Sequence, residues 1–502
     1  MKTYHKQNQN NSKMKKILSL LFACALCLTM QAQVQRPKLV VGLVVDQMRW
    51  DYLYYYYDQF QQDGLRRLVD EGFSYENTMI NYVPTVTAIG HSSIYTGSVP
   101  ALTGIAGNNF YLNGKWVTSV TDETVQAVGS KSRDGQASPR NLLASGIGDV
   151  LRIATDYQAK VIGVALKDRA SILPAGHAAN AAYWWDTSAG HFITSTYYMD
   201  KLPDWVKQVN KQVQVKPGTE VKMSVPGVTK TFQMAEAAIA GEGLGQDDVT
   251  DLLAISVSST DAIGHTYGTR GQENHDVYME LDRQVAGLLK YLDEKVGKGN
   301  YLLFLSADHG ACHNPNLMRQ HKLAAGGLEF SKLMGPVINK VGESMGIQKL
   351  FLKENSGRVY LNHAAIAAAG KKLCDVKRAV CEAVEQSDTI LYCVDYDNVL
   401  NTSIPQPIRE RIVNGYNKKR SGDLFYVAKA GWETTSGAAD YIGTTHGMWN
   451  PYDAHIPFVL YGWHVQHGQS TAEAHITDIA PTICAMLHIQ MPNSAVGKPL
   501  SR

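Results

Sequence analysis

The chain has 502 residues, of which 44% are hydrophobic and 19% are charged, with 43 glycines and 17 prolines. This composition is typical of a globular protein and excludes disordered and collagen-like chains. The formal net charge is +2, but five lysines and no acidic residues lie in the first 32 residues, so the rest of the chain is slightly acidic. No basic stripe indicates nucleic acid as a dedicated partner.

The first 32 residues are typical of a secretory signal peptide. A lysine-rich stretch at 13–16 precedes the apolar run 17–28, and Ala32 offers a small residue for cleavage. The apolar run is shorter than the roughly 20 residues that cross a bilayer. We therefore expect cleavage after Ala32 and a periplasmic or otherwise exported protein without membrane association. Lipid modification at Cys24 is the alternative.

Five of the seven cysteines follow the signal segment, and an odd number cannot pair completely within one chain. Cys374 and Cys381 are seven residues apart in a predicted helix, a rise of roughly 10 Å that is too long for one disulfide. Cys393 could pair with either of them. Buried, unpaired thiols are an equally good interpretation.

Four apolar runs rich in β-branched residues each end in ionisable side chains, and helical patterns separate them. This alternation predicts an α/β fold. The runs, with the residues that follow them, are 38–45 with Asp46, 160–166 with Lys167 and Arg169, 252–257 with Asp261, and 301–306 with Asp308 and His309. Because ligands bind outside the carboxyl ends of the strands in open α/β sheets, we expect these side chains at one edge of the sheet.

Three long segments, near 110–157, 170–245 and 315–440, do not fit the simple alternation. We expect them to be insertions or caps on a single catalytic domain that spans 33–502. The middle segment is aromatic-rich around Tyr183-Trp184-Trp185. Packing of a lid on the core explains these aromatics, and lining of a substrate pocket is the alternative.

Three aspartates and three histidines fall at the strand ends or in the segment 444–447, and they form a candidate metal-ligand set. They are Asp46, Asp261, His265, Asp308, His309 and His446. Carboxylate oxygen and imidazole nitrogen are donors that zinc prefers. Taken singly, each residue is better explained as a turn, cap or surface residue, so the pattern is informative only as a set.

A hydroxyl residue, Thr87, lies at the start of a predicted helix within the segment 84–97. A helix N-terminus presents unpaired N–H groups and the positive end of the helix dipole, and both stabilise a bound anion. By itself, Thr87 is more simply interpreted as a helix cap with no further role.

Seven short motifs follow one another along the chain. They are Val44-Val45-Asp46, Thr87-Ala88-Ile89-Gly90-His91, Gly107-Asn108, Lys167-Asp168-Arg169, Asp261 to His265, Ala307-Asp308-His309-Gly310 and Thr445-His446-Gly447. In this order they resemble the alkaline phosphatase superfamily, in particular the PafA-type bacterial alkaline phosphatases, with the nucleotide pyrophosphatase/phosphodiesterases as cousins. The resemblance covers nearly all of the mature chain and implies a three-layer α/β/α sheet with inserted cap segments.

The resemblance also implies two zinc ions and a covalent mechanism. It assigns Asp261, His265 and His446 to one ion, Asp46, Asp308 and His309 to the other, with Thr87 bound to the second as nucleophile, and Asn108, Lys167 and Arg169 to the phosphoryl oxygens. A bound dication would stabilise the alkoxide of Thr87, and two ions can hold the attacking and departing oxygens of an in-line displacement.

Lys167 and Arg169 bear on the substrate. A phosphate monoester dianion has three non-bridging oxygens and benefits from two cations, and the phosphodiesterase cousins lack this Lys-x-Arg feature. The formylglycine motif of sulfatases is absent around Thr87. We therefore expect an exported, monomeric, zinc-dependent alkaline phosphatase that hydrolyses small-molecule phosphate monoesters through a phosphothreonine intermediate and releases inorganic phosphate.

Two other functions fit parts of the pattern. A phosphodiesterase or nucleotide pyrophosphatase could use the same zinc ions and the same threonine. A non-catalytic, zinc-stabilised binding protein on an old enzyme scaffold is the third interpretation, although all six candidate ligands, the hydroxyl and the phosphate contacts are present.

Overall fold

The computed structural model describes Met14 and residues 34–501. The predicted cleavage site after Ala32, Cys24 and, apart from Met14, the predicted signal peptide lie outside the described residues. Residues Pro37–Arg502 form one compact unit. Among the described residues, no helix is both long enough and apolar enough to span a membrane.

The strands are numbered in chain order. They are β1 Leu39–Val45, β2 Phe73–Met79, β3 Asn109–Leu112, β4 Lys115–Thr118, β5 Ala127–Val128, β6 Val161–Ala165, β7 Ala181–Asp186, β8 His191–Ser195, β9 Asp251–Val257, β10 Tyr301–Ser306, β11 Gly326–Gly327, β12 Phe351–Asn355, β13 Arg358–Leu361, β14 Ile390–Asp395, β15 Leu424–Ala428, β16 Trp432–Glu433, β17 His455–Ile456, β18 Phe458–Gly462 and β19 Gly468–His475.

The α-helices alternate with these strands along much of the chain. They are Tyr52–Tyr55, Leu65–Glu71, Thr87–Thr96, Pro100–Thr103, Ile147–Ala154, Asp168–Ala175, Asp204–Val213, Val225–Glu242, Ser259–Tyr267, Gln272–Leu292, Pro315–Gln320, Phe330–Ser344, His363–Ala368, Leu373–Val384, Gln406–Gly415, Pro451–Ala454 and Ile479–Met486.

One large sheet organises the unit. Its order is β17-β2-β18-β10-β1-β9-β6-β7-β8-β5, with β19 paired to β2. The central strands β10, β1, β9 and β6 are parallel to one another, and β18 runs antiparallel to β10. Every residue of β1, β6, β9 and β10 is buried, as expected for parallel strands that are covered on both faces. The predicted α/β fold with a mostly parallel central sheet is confirmed.

Helices pack in two groups. In one group, helix Val225–Glu242 packs against Asp204–Val213 and Gln272–Leu292. In the other, the helix that begins at Thr87 packs against Asp168–Ala175 and Ile479–Met486. These groups supply the helical layers of the α/β architecture.

The segment near 170–245 differs from the expectation that it lies outside the alternation. It contributes β7, which is parallel to β6, and β8, which is antiparallel to β7. The aromatic residues at 183–185 are buried strand residues of β7. The sequence of β7 is a short apolar run of alanines and aromatics without a β-branched residue, so it lacks the feature by which the four other runs are recognised as strands.

The segment near 315–440 contains a second sheet of order β12-β13-β15-β14. Helices Phe330–Ser344 and Leu373–Val384 pack on it and share an apolar cluster with it that is separate from the cluster of the main sheet. The segment near 110–157 contains the β3–β4 hairpin and ends in helix Ile147–Ala154, whose apolar residues belong to the main cluster.

Close packing of β6 on the following helix requires a glycine. A Cβ atom at Gly163 would overlap the backbone oxygen of Ser171 and lie 3.1 Å from the Ala175 side chain, whereas nothing lies within 4 Å of a Cβ atom placed at exposed Gly287 in helix Gln272–Leu292.

Replacement of these two glycines should change stability in opposite directions. Gly163→Ala should lower the free energy of unfolding by about 2 kcal/mol, because the helix must move away from the strand. Gly287→Ala should raise it by up to about 1 kcal/mol, because alanine restricts the unfolded chain and favours the helix. Denaturant unfolding midpoints of both variants and the wild type measure this. Equal shifts in one direction would contradict the packing described for β6.

Candidate active site

The carboxyl ends of four adjacent parallel strands bring the sequence-predicted residues together. Asp46 follows β1, Lys167 follows β6, and Asp308 and His309 follow β10, while Asp261 lies in helix Ser259–Tyr267 directly after β9. Thr87 is the first residue of its helix, which ends at Thr96, and only 1% of it is exposed.

Asp46, Asp308 and His309 form a fully buried group whose candidate ligand atoms all lie within 4.8 Å of one another. The Nε2 atom of His309 lies 3.6 Å from Asp46 Oδ1 and 3.3 Å from Asp308 Oδ2. None of these three atoms has a hydrogen-bond partner. Buried polar atoms without partners are costly, and this set of oxygen and nitrogen donors suits a divalent metal such as zinc. The residues present therefore fit a metal ion.

A second group shares His309 with the first. The candidate ligand atoms of Asp261, His309 and His446 also lie within 4.8 Å of one another. The His309 and His446 rings stack with centroids 3.5 Å apart, which makes the two groups continuous. His265, which the sequence assigned to the Asp261 group, places Nε2 3.1 Å from Asp261 Oδ1, and its side chain is 39% exposed. All six predicted ligands thus lie in one cluster.

Backbone carbonyls orient the three histidines. In each ring, Nδ1 lies within hydrogen-bonding distance of a carbonyl oxygen, which can only accept, so Nδ1 carries the proton and Nε2 is left as a metal donor. The pairs are His265 with Thr444 at 2.9 Å, His309 with Gly310 at 3.0 Å and His446 with Thr85 at 2.7 Å.

Lys167 connects the two groups and the hydroxyl. Its Nζ donates to Asp46 Oδ2 and Asp261 Oδ2, both at 2.6 Å, and to Thr87 Oγ1 at 3.5 Å. Burial alone would lower the pKa of Lys167, but the carboxylates of Asp261 and Asp46 raise it above its ordinary value. Lys167 is therefore a buried cation that faces the candidate nucleophile.

The charged groups of the cluster have strongly perturbed pKa values. Burial and the nearby Asp308 carboxylate raise the pKa of Asp46. Burial opposes ionisation of Asp261, but His265 and Lys167 hold its pKa well below the usual range. Burial lowers the pKa of His309 to about 3. His309 is consequently neutral, as a metal ligand must be, at neutral and alkaline pH.

Asn108 and Arg169 differ in how closely they join the cluster. The side-chain oxygen of Asn108 accepts from the N–H of Ala88 at 2.8 Å, which places Asn108 at the N-terminus of the Thr87 helix. Arg169 bonds the side chain of Asp168, and its buried Nε has no partner. Within residues 34–501, no hydrogen bond joins Arg169 to Thr87 or to the six ligands.

Two further residues of this site were not predicted from the sequence. His91 places Nδ1 2.9 Å from the carbonyl oxygen of Thr87 and Nε2 2.7 Å from Ser256 Oγ. Gln47 donates to Asp308 and Asp261. His91 lies in a motif that the sequence analysis singled out and Gln47 follows a predicted ligand, but neither residue type indicates such a role.

Asp453 fixes the loops that carry two of the histidines. Its Oδ2 accepts from the N–H groups of Gly447 and Met448 at 3.0 and 2.8 Å, and its carbonyl oxygen accepts from the N–H of Gly310 at 2.8 Å. Burial raises the pKa of Asp453 from its ordinary value of 3.8 to about 8.

Comparisons with known proteins show to which family the chain belongs. A family model described as type I phosphodiesterase / nucleotide pyrophosphatase matches residues 40–449. A protein named calcium-transporting ATPase from Myroides odoratus is 45% identical over 93% of this chain and 95% of its own length. Alkaline phosphatase PafA from Elizabethkingia meningoseptica is 43% identical over 93% of this chain and 94% of its own.

Crystal structures of PafA superpose closely on this fold. The wild-type structure has a TM-score of 0.88 at 42% identity and covers 93% of this chain and 99% of that chain. A mutant structure with the same scores carries substitutions of a threonine, an asparagine, a lysine and an arginine. The chain therefore belongs to the type I phosphodiesterase / nucleotide pyrophosphatase family. Within that family it groups with the PafA-type alkaline phosphatases, and the resemblance found in the sequence is confirmed.

Asp453→Asn should change how stability depends on pH. As the pH rises above about 4, the unfolded chain releases the Asp453 proton while the folded protein keeps it to about pH 8, so this carboxyl costs stability increasingly across that interval. Asparagine keeps an acceptor for the loop N–H groups and lacks this proton. The Tm of the variant minus that of the wild type should therefore rise between about pH 5 and about pH 9.

The matched control is Asp63→Asn, at an exposed aspartate, for which the Tm difference should stay flat over the same range. A flat difference for Asp453→Asn as well would show that Asp453 is ionised in the folded protein at neutral pH.

Proposed function

We propose that the protein is an exported, zinc-dependent alkaline phosphatase that hydrolyses phosphate monoesters through a phosphothreonine at Thr87. The observation that carries this proposal is the placement of a buried hydroxyl 3.5 Å from Lys167 Nζ, which itself lies 2.6 Å from a carboxylate of each ligand group. Relatives named alkaline phosphatase at more than 40% identity support phosphatase activity.

We assign the metal ligands to the two ions as the family resemblance implies. Asp261, His265 and His446 would hold one zinc ion, and Asp46, Asp308 and His309 the other. When bound, two zinc ions supply Lewis-acid charge that makes the threonine hydroxyl acidic and favours charge on the reacting oxygens. His309 is neutral, and the Nε2 atoms of His265 and His446 are oriented by carbonyl groups, so all three rings can donate Nε2 to a metal ion.

Thr87 Oγ1 releases its proton to solvent and attacks phosphorus, so that a bond from threonine oxygen to phosphorus forms while the bond from phosphorus to the ester oxygen breaks. The departing alcohol takes a proton from solvent. A water molecule then attacks phosphorus while the bond from phosphorus to Thr87 Oγ1 breaks, inorganic phosphate leaves, and the threonine oxygen takes a proton from solvent. Thr87 is suited to both steps because it lies at a helix N-terminus, where backbone N–H groups and the helix dipole favour an anion.

Three side chains are proposed to hold the phosphoryl oxygens. The Ala88 N–H engages Asn108 Oδ1, so the amide Nδ2 of Asn108 is directed to substrate. Lys167 supplies a compact charge, and Arg169 has a buried, unpartnered Nε available for an anion. The PafA mutant carries substitutions at a threonine and an asparagine 21 residues apart and at a lysine and an arginine two apart, the spacings of these four residues here.

Export and partners follow from the sequence. Cleavage after Ala32 would release a periplasmic or secreted enzyme, whose partners are small-molecule phosphate monoesters. We place its active form as a monomer. Diester hydrolysis is the alternative activity, because the matching family model is described by phosphodiesterase and pyrophosphatase activities.

The first test compares kcat/KM for an aryl phosphate monoester and the matching aryl methyl phosphodiester at alkaline pH, with zinc and after chelation. We expect a zinc-dependent preference of several orders of magnitude for the monoester, because two cations meet a dianion. Preference for the diester would show that the enzyme is a phosphodiesterase. Absence of zinc-dependent turnover of both substrates would contradict the proposal.

The matched variant for this test is Lys167→Ala/Arg169→Ala. The double variant should lower kcat/KM more for the monoester than for the diester. The difference should correspond to several kcal/mol of transition-state stabilisation. Equal losses would show that these cations do not determine the substrate preference.

Thr87→Ala should abolish turnover while the protein still binds two zinc ions, because six protein ligands remain. Thr87→Ser keeps a hydroxyl and should retain measurable turnover with a covalent phosphoserine that mass spectrometry detects after acid quenching. Zinc content by elemental analysis and burst kinetics check both variants. Full activity of Thr87→Ala would refute the assignment of the nucleophile.

A further inference from the structure

Gln47 has an unusual backbone conformation for its residue type. It directly follows β1 and Asp46, it is 4% exposed, and its φ angle is +64°. Left-handed backbone conformations are uncommon for residues other than glycine, and they cost free energy that the surrounding structure must supply. A glutamine occupies this position in place of glycine, and contacts of its side chain and backbone must offset the conformational cost.

The two donors of Gln47 reach one carboxylate in each ligand group. The backbone N–H donates to Asp308 Oδ1 at 3.1 Å, and the side-chain Nε2 donates to Asp261 Oδ1 at 2.7 Å. The left-handed turn directs the N–H to the β10 side of β1, while the side chain extends to the β9 side. Gln47 is therefore a single residue that bonds ligands located after two different strands, β9 and β10.

The orientation of the amide follows from its neighbours. An ionised carboxylate only accepts hydrogen bonds, so the atom that faces Asp261 is Nε2 and Oε1 points away. Oε1 lies against Gly264 in the helix that carries Asp261, where a Cβ atom would overlap it. Gly264 thus provides the space in which the Gln47 amide fits.

We propose that Gln47 is a positioning residue of the metal centre, whose amide holds the Asp261 carboxylate for one ion while its backbone N–H holds Asp308 for the other. This inference rests on the two-metal centre of the proposed function. Hydrogen bonds to the outer side of metal ligands fix their orientation, and their loss typically weakens metal binding about 10- to 100-fold.

Two substitutions distinguish the contribution of the Gln47 side-chain amide from that of its backbone N–H. Gln47→Gly keeps the N–H, suits the left-handed conformation and removes only the amide. Gly264→Ala leaves Gln47 in place but displaces its amide, while alanine is otherwise favourable inside a helix. The double variant completes a thermodynamic cycle. Asn113→Gly, at an exposed hairpin position with a φ angle of +51°, is the matched control for relief of backbone strain.

The measurement is titration of the metal-free protein with zinc in competition with a chromophoric chelator, which resolves the two binding constants. We expect Gln47→Gly and Gly264→Ala each to weaken one of the two zinc-binding steps about 10- to 100-fold and to leave the other unchanged. Gly264→Ala should add nothing in the Gln47→Gly background. Asn113→Gly should leave both constants unchanged, and the Tm of each metal-free variant reports that it is folded.

The outcomes distinguish this inference from the proposed function. If the wild type binds two zinc ions and turns over monoesters, but both constants are unchanged in Gln47→Gly, the positioning role is wrong and the phosphatase assignment stands. If both constants fall equally in each variant, Gln47 and Gly264 affect the general structure of the centre and not the Asp261 carboxylate. A wild type that binds no zinc overturns both.

Discussion

Three buried carboxylates that face a common point impose the constraint on which the rest of this structure depends. Asp46, Asp261 and Asp308 are each at most 4% exposed, and like charges in such surroundings cannot all ionise without compensating cations. Lys167 supplies one positive charge between two of them. The raised pKa of Asp46 is the remaining cost, since burial favours its protonated form. A divalent cation in the centre would favour the ionised form of these carboxyls and offset that cost, which links metal binding to stability.

The fold satisfies this constraint through the topology of its sheet. Adjacent parallel strands end at one edge, and each can deliver a ligand there without a long loop. The register of β1 between β10 and β9 is continuous over the strand length, so a shift of one strand would move its ligand relative to the others. The positions of Asp46 and Asp308 are therefore set by the buried apolar strands that precede them.

The sequence predicted those features that depend on residue type and spacing. Four apolar runs ending in acids or cations correspond to β1, β6, β9 and β10, and Thr87 begins a helix as expected. The strand β7 was missed because its short run of alanines and aromatics contains no β-branched residue. Asp453 was missed because it acts through backbone N–H groups of another segment. Gln47 and His91 were missed because their partners Asp308, Asp261 and Ser256 are distant in sequence, and no residue pattern encodes such a hydrogen bond. The left-handed conformation of Gln47 could not be predicted either, because a glutamine in the sequence does not indicate a positive φ angle.

The second sheet, β12-β13-β15-β14, is connected to the same site through a buried arginine. Arg358, the first residue of β13, is fully buried, and its guanidinium donates to the carbonyl oxygen of Asn109 at 3.1 Å and to Tyr360 and Asn355. A Cβ atom at Gly107 would overlap that guanidinium, so the chain on both sides of Asn108 is fitted to it. The amide of Asn108 can meet the start of the Thr87 helix only while this loop is in place. It follows that the ligands that come directly after strands of the main sheet, Asp46, Asp308 and His309, depend on that sheet, whereas one of the proposed phosphoryl contacts, Asn108, depends on the folding of the inserted sheet. His446 is linked to the inserted sheet as well, because Met448, two residues further on, belongs to the apolar cluster of that sheet.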